Sequence, residues 1–139
     1  MIILDTNVIS ELTKDQIDPS VTAWSQHADW EEKYLCAPVI AELQFGAVRF
    51  KARTGSNSHG HTLDRLLAGP FLGKILPMDT RAAMFAGQFR AHRENAGRPV
   101  KPMDMAIAGI AAANNATLAT RNVRDFEGLD LKLVNPFEA

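Results

Sequence analysis

Met1 to Leu4 (MIIL) is a short run of apolar residues with no polar position, and Asp5 ends it. Such a run is too short for a buried helix. It suits a strand covered on both faces, as in a parallel sheet. Thr6 and Asn7 follow, and then Val8, Ile9 and Leu12 recur at helical spacing. Asp5 therefore falls where a central strand hands over to a helix. Ligand sites in open parallel sheets lie just beyond the carboxyl ends of the strands. Asp5 is either the N-cap of that helix or a site residue, and at this point both readings stand.

The alternation continues along the chain. Asp18 or Ser20 can cap a second helix carrying Val21, Trp24 and Ala28. Tyr34 to Ala37 reads as a strand. Pro38 suits the first turn of a helix through Val39, Leu43, Ala47 and Phe50. Thr54 to Gly60 (TGSNSHG) reads as a loop. His59 and His61 flank Gly60, but no third ligand is near, so a solvated loop is the better reading than a metal site. Leu63, Leu66 and Leu67 mark a short helix ending at Gly69-Pro70. Lys74 to Leu76 is a third strand, and Asp79 caps a long helix over Ala82, Phe85, Ala86 and Phe89 that Gly97 ends. Pro102 opens a helix whose Ala- and Gly-rich face (Ala106, Gly109, Ala111) predicts close packing. Thr117 to Thr120 is a fourth strand, Arg121 to Phe126 the loop after it, and Leu131 to Val134 a last strand. This order predicts one domain over residues 1–139, a three-layer α/β/α sandwich with a mainly parallel central sheet.

A hydrophobic content of 46% excludes a disordered chain. Lys and Arg number 15 against 16 Asp and Glu, for a formal net charge of -1. That balance argues against a generic basic nucleic-acid binder, yet it leaves room for an enzyme with a local basic rim. The single cysteine, Cys36, has no internal partner and lies in an apolar run, as expected of a small buried hydrophobe in a reducing compartment. The N-terminus lacks the features of a secretory leader, and no apolar run approaches the roughly 20 residues needed to span a bilayer. The expectation is a soluble, cytoplasmic protein without membrane contact.

Four carboxylates share one predicted edge. Asp5 ends a strand, Glu42 lies early in a helix, Asp104 is in a helix first turn, and Asp125 is in the loop after a strand. Strand C-termini and the following helix N-termini lie together in a parallel sheet, so all four can reach one cleft. Each also has a bland reading as a cap, a surface charge, a favourable first-turn acid or a turn residue. Several carboxylates in one cleft repel, and a divalent cation removes that conflict. An all-oxygen set prefers Mg²⁺ or Mn²⁺ to Zn²⁺.

LDTNVISEL at the start, IAEL around Glu42, MDMAIAGIAA around Asp104 and ATRNVRDFEGL around Asp125 resemble a PIN-domain nuclease. The likeness is strongest to the VapC/FitB-type toxins of prokaryotic toxin–antitoxin operons, and it covers essentially the whole chain. The resemblance implies a Mg²⁺- or Mn²⁺-dependent endoribonuclease, the toxin of a type II toxin–antitoxin system. It implies Asp5, Glu42, Asp104 and Asp125 as catalytic and metal-holding residues. Thr6 and Thr120 would line the metal site and Asn122 would support the loop. It also implies a cognate antitoxin, operator DNA bound only through that antitoxin, and a homodimer. Trp24, Trp30, Phe45 and Phe50 are candidate contact residues, with core packing the better reading for most of them. An acidic pocket repels RNA, so cations at its rim must offset it. Arg121 and Arg124 share a loop with Asp125. Arg98 and Lys101 precede Asp104, and Arg49 and Lys51 follow Glu42.

Other classes fit less well. A HAD-type phosphatase wants a second Asp two residues after the first, and Asn7 stands there. A receiver-like phosphoacceptor domain wants an acidic pair beside the first strand and a Lys after a late strand. Asp5 has no acidic neighbour, and Lys132 falls within a strand. A catalytically silent PIN fold used for binding remains the alternative to the nuclease.

Overall fold

The computed structural model describes residues 1–138 and carries a five-stranded sheet in the order β3-β2-β1-β4-β5, every neighbouring pair parallel. The strands are β1 (Ile2–Leu4), β2 (Lys33–Cys36), β3 (Ile75–Leu76), β4 (Thr117–Ala119) and β5 (Lys132–Val134). The helices are α1 (Thr6–Leu12), α2 (Pro19–His27), α3 (Ala37–Thr54), α4 (Ser58–Ala68), α5 (Thr80–Asn95) and α6 (Pro102–Ala113). Short 3-10 turns cover Trp30–Glu32 and Val123–Phe126. The expected α/β/α sandwich is the observed fold.

β1 is central because it is apolar on both faces. Ile3 and Leu4 are fully buried, as are Leu35, Cys36, Leu118 and Ala119 in the flanking strands. From β1 the chain first builds outward through β2 to β3. It then crosses back to place β4 on the other side of β1. Right-handed crossovers put α1–α4 on one face and α5 and α6 on the other. The strand order reverses between β1 and β4, and the crevice at that reversal is where open parallel sheets hold ligands.

α6 is the most buried helix, with Met105 through Ala111 all inside. Gly109 permits its close approach to α5. A Cβ there would overlap the Ala82 carbonyl oxygen and stand 2.8 Å from the Ala86 nitrogen.

Two local expectations need correction. Ala37 is not in β2 but opens α3. Cys36 is the extended N-cap, and Pro38 beside the helix start fixes helical φ from the first turn. Thr54 to Gly60 is not a loop. α3 runs through Thr54, Gly55 closes it at φ 77°, and α4 already begins at Ser58. The connection is only residues 55–57. Relays of short side chains replace a loop here. Thr54 Oγ1–H donates to the Phe50 carbonyl (2.7 Å), the Ser56 N–H to Thr54 Oγ1 (3.1 Å) and the Ser58 N–H to Ser56 Oγ (3.2 Å). His59 then sits in the first turn of α4 with its ring 3.8 Å from that of Phe50. Among the described residues no helix is long and apolar enough to cross a membrane.

Candidate active site

Asp5 lies one residue past β1, and its N–H still donates to the Ala119 carbonyl (2.9 Å), so the sheet itself fixes its backbone. Its side chain is 5% exposed. One oxygen, Oδ1, accepts from the Thr6 N–H (2.8 Å). An N-cap normally serves the second or third helical N–H. Here it serves the first, so the carboxylate is turned across the helix end. The other oxygen, Oδ2, accepts from Thr120 Oγ1–H (2.7 Å) and Asn7 Nδ2–H (3.4 Å). Asp5 thus caps α1 with one oxygen and joins Thr120 and Asn7 with the other.

Thr120, fully buried at the end of β4, extends the network. Its oxygen also accepts from the Asn122 N–H (3.1 Å). The Asn122 carbonyl accepts from the Asp125 N–H (3.0 Å). Asp5 is therefore linked through Thr120 to the turn that carries Asp125. Asn122 supports this loop through its backbone; its side chain makes no capping bond.

Asn7 is the functional candidate that sequence reasoning missed. While Nδ2 reaches Asp5, its Oδ1 accepts from the Arg121 N–H (3.0 Å). An amide carries a donor and an acceptor, so one side chain joins the β1 and β4 ends. The available signal was an Asn in the first turn after the site strand.

Glu42 stands in the second turn of α3, and Asp104 in the first turn of α6. Burial pushes the Asp104 carboxyl up to about 6, and the charges of Asp5, Asp125 and Glu42 add to it against Lys101. Burial also raises Asp5, with the Asp125 charge adding, against hydrogen bonds from Thr120, Thr6 and Asn7. Glu42 is raised by burial and then by the Asp5 charge, while Thr6 and Lys101 oppose. The charges of Asp5, Asp125 and Glu42 thus all act on Asp104 at one sheet edge. Thr6 Oγ1 and Glu42 Oε1 are buried there without a hydrogen-bond partner of good geometry. Among the described residues, no three Asp, Glu, His or Cys side chains are gathered tightly enough to hold a metal ion as they stand. An ion would have to draw them inward. The donor set still fits a hard divalent cation, because it is all oxygen and includes two orphaned oxygens.

The cations divide into groups. Lys101, the N-cap of α6, places Nζ 3.9 Å from Asp125 Oδ2 across a solvent-exposed gap. Arg98 turns to Glu127 (3.2 Å) instead of the acidic edge. Arg121 lies 4.6 Å from the centre of the Phe137 ring and, with Asn122, Arg124, Asp125 and Asn135, lines a cleft of about 280 Å³. A larger groove of about 770 Å³ starts at Thr6 and Glu42 and runs past Arg49, Arg53 and His59.

A doubly wound parallel sheet with four acidic side chains at its switch point defines a small class of α/β proteins. The chain belongs to the PIN-domain family, whose family model matches residues 2–131. It is similar to the VapC ribonuclease Y4jK of Sinorhizobium fredii, at 35% identity over 138 residues and 99% of each chain. It is also similar to toxin FitB of Neisseria gonorrhoeae, at 34% identity over 137 residues and 99% of each chain. The solved structure of FitAB bound to an IR36 DNA fragment superposes with a TM-score of 0.86 at 31% identity, covering 99% of this chain and 96% of that one.

Proposed function

We propose that this chain is a Mg²⁺- or Mn²⁺-dependent endoribonuclease, the toxin of a type II toxin–antitoxin pair. One observation carries the reading. Asp5, Glu42, Asp104 and Asp125 come from four separate segments, and the charges of the other three all raise the pKa of Asp104. Carboxylates gathered in one cleft that raise one another's pKa are candidates for a functional site. The full-length likeness to a VapC ribonuclease supports the reaction class.

In this reading Asp5, Asp104 and Asp125 are the main ligands and Glu42 completes the shell. A divalent ion bound there supplies charge neutralisation at the phosphodiester and lowers the pKa of water. The chain's own residues orient the parts. Thr120, Asn7 and the Thr6 N–H hold Asp5 in one orientation. The Thr6 hydroxyl lies beside Glu42 at that edge and favours its charged form. Arg121 and Arg124 flank Asp125 and take RNA phosphates. Lys101 offsets the acidic edge for the incoming backbone. Arg98 contributes once released from Glu127.

The proposed partners are RNA and a cognate antitoxin, with operator DNA bound through the antitoxin. The FitAB–DNA structure supports that assembly. We also propose a homodimer. Phe45 and Val48, 63% and 57% exposed on α3, are apolar side chains that a second copy would cover.

The test is incubation of the partner-free full chain with total cellular RNA. Cleavage in Mg²⁺ or Mn²⁺ and none in EDTA is expected. Undiminished cleavage in EDTA, or none in any condition, contradicts the proposal.

A further inference from the structure

Two of the four carboxylates ride on segments that no sheet hydrogen bond joins directly. Asp104 follows the α5–α6 connection, residues 96–101. Asp125 lies two residues before Glu127, which ends the Val123–Phe126 turn. Arg93, in the last turn of α5, lies between them and is only 2% exposed. Its Nε–H donates to the Pro99 carbonyl (3.1 Å), and its Nη1–H donates to the Glu127 carbonyl (2.6 Å). The Arg98 N–H returns to the Arg93 carbonyl (2.9 Å) and closes the connection on itself.

Among the described residues no carboxylate pairs with this buried guanidinium; its observed acceptors are main-chain carbonyls. Burying a charge without a counter-charge is costly, and an apolar side chain would fill the volume at less cost. What an apolar residue lacks is the fixed fork of donors. A guanidinium holds two acceptors at one separation, whereas an ammonium on a flexible stem does not. The two acceptors lie close along the chain to the two carboxylates: Pro99 is five residues before Asp104, and Glu127 two residues after Asp125. Their like charges favour separation of those segments. The exposed Arg98–Glu127 pair spans the same gap, but solvent screens it.

We propose that Arg93 is a positioning residue whose guanidinium fork sets the separation of the Asp104 and Asp125 segments by holding the Pro99 and Glu127 carbonyls together. The inference rests on the reading that those two carboxylates share a divalent cation. It explains why the fork is buried against two main-chain carbonyls instead of forming a surface ion pair.

The test uses the full chain and Mn²⁺, with free Mn²⁺ read by its paramagnetic resonance signal. Arg93→Lys keeps the charge and one carbonyl contact but loses the fork. Arg93→Met loses both. Arg90→Ala, which removes only the exposed Arg90–Glu94 pair on α5 (3.1 Å), is the control. Titrations run well below the melting temperature of each protein. The Mn²⁺ Kd rises roughly tenfold in Arg93→Lys and further in Arg93→Met, the scale seen when groups supporting metal ligands are removed. For RNA cleavage kcat falls while KM is unchanged, and Arg90→Ala matches wild type throughout. A folded Arg93→Lys with wild-type Mn²⁺ affinity overturns the proposal. So does failure of both variants to fold, which makes Arg93 a fold determinant only. A wild-type chain that binds no Mn²⁺ sinks the shared-cation reading and this inference with it. A wild type that binds and a variant that binds equally sink this inference alone.

Discussion

Thr120 Oγ1 stands 2.7 Å from Asp5 Oδ2, a buried hydrogen bond between residues 115 apart in sequence. It joins the ends of β1 and β4 where the strand order reverses, and it holds the most buried of the four carboxylates. Thr120→Val keeps the shape and removes the donor. A hydrogen bond to a charged group contributes about 1.5–3 kcal/mol, and losing it leaves Asp5 with one less partner. We expect Thr120→Val to lower the unfolding free energy measured in urea by that order at pH 7 and to raise the Asp5 pKa further. Thr120→Ser should recover most of the loss. A Thr120→Val protein as stable as wild type would show that the bond does not support the edge.

Asp104 gives a pH dependence with a definite sign. Its carboxyl is raised from 3.8 to about 6 by burial first and by the neighbouring charges second. The folded protein therefore holds a proton that the unfolded chain has released between about pH 4 and 6. The stability from this group is full below the unfolded pKa and is lost as pH rises through about 6. Asp5 and Glu42 are raised too and act in the same direction. In EDTA, melting should fall from pH 5 to pH 8. Asp104→Asn should flatten that slope and raise the pH 8 melting temperature by roughly 3 °C. Adding Mg²⁺ at pH 8 should stabilise wild type more than the variant. A metal-free melting temperature that rises from pH 5 to 8 would contradict the assignment.

Gly109 tests the packing beneath the site. A Cβ there would meet the Ala82 carbonyl, the Ala86 nitrogen and, at 3.0 Å, the Ala86 Cβ. Two of those three are backbone atoms and cannot swing aside. Gly109→Ala must push α6 from α5, against a helix-propensity gain of about 1 kcal/mol. Overpacking of this kind costs about 1–3 kcal/mol. The expected net result is destabilisation in urea, with reduced cleavage because α6 carries Asp104. A stabilised Gly109→Ala would mean that the helices separate freely.

Lys33 tests the far side of the sheet. It is fully buried, and its Nζ donates to the Ser25 (3.0 Å) and Ala28 (2.8 Å) carbonyls at the end of α2. The ammonium also lies 4.7 Å from the centre of the Trp30 ring and 5.7 Å from that of Trp24. Lys33→Met keeps the stem and strips both carbonyls of a donor, at a cost of about 1–3 kcal/mol. Thermal melting should show the loss, and tryptophan fluorescence should change in the native state. Unchanged fluorescence would mean that the rings do not sense the ammonium.

The sequence carried the parts of this protein whose signal is local. MIIL followed by Asp5 marked the central strand and its junction, and Pro38 and Pro102 marked two helix starts. Asp18 and Asp79 cap their helices as read, through Ser20 and Ala82 N–H groups. The shared edge of the four carboxylates followed from parallel topology alone. Strand order did not follow, because β1 pairs with β4 across more than a hundred residues and nothing local encodes that choice. The α4 start was misread because Gly60 and the polar run around it look like a turn. Buried Leu63 and the His59–Phe50 stack override that weak propensity. Asn7 was legible only as a residue type, since its partner Arg121 is 114 positions away. Arg98 looked like a rim cation beside Asp104, but Glu127 takes its guanidinium, an acceptor that chain order does not bring near.

The account stands or falls on whether the four carboxylates act as one site. The most direct measurement is the initial rate of RNA cleavage in Mg²⁺ for wild type, Asp5→Asn, Glu42→Gln, Asp104→Asn and Asp125→Asn. All five proteins should be purified identically and checked for folding. We expect wild-type cleavage and at least a hundredfold loss in each of the three Asp variants, of the order seen when a preorganised charge-stabilising group is removed. Glu42→Gln should be impaired as well. A folded Asp5, Asp104 or Asp125 variant that keeps the wild-type rate would contradict the account.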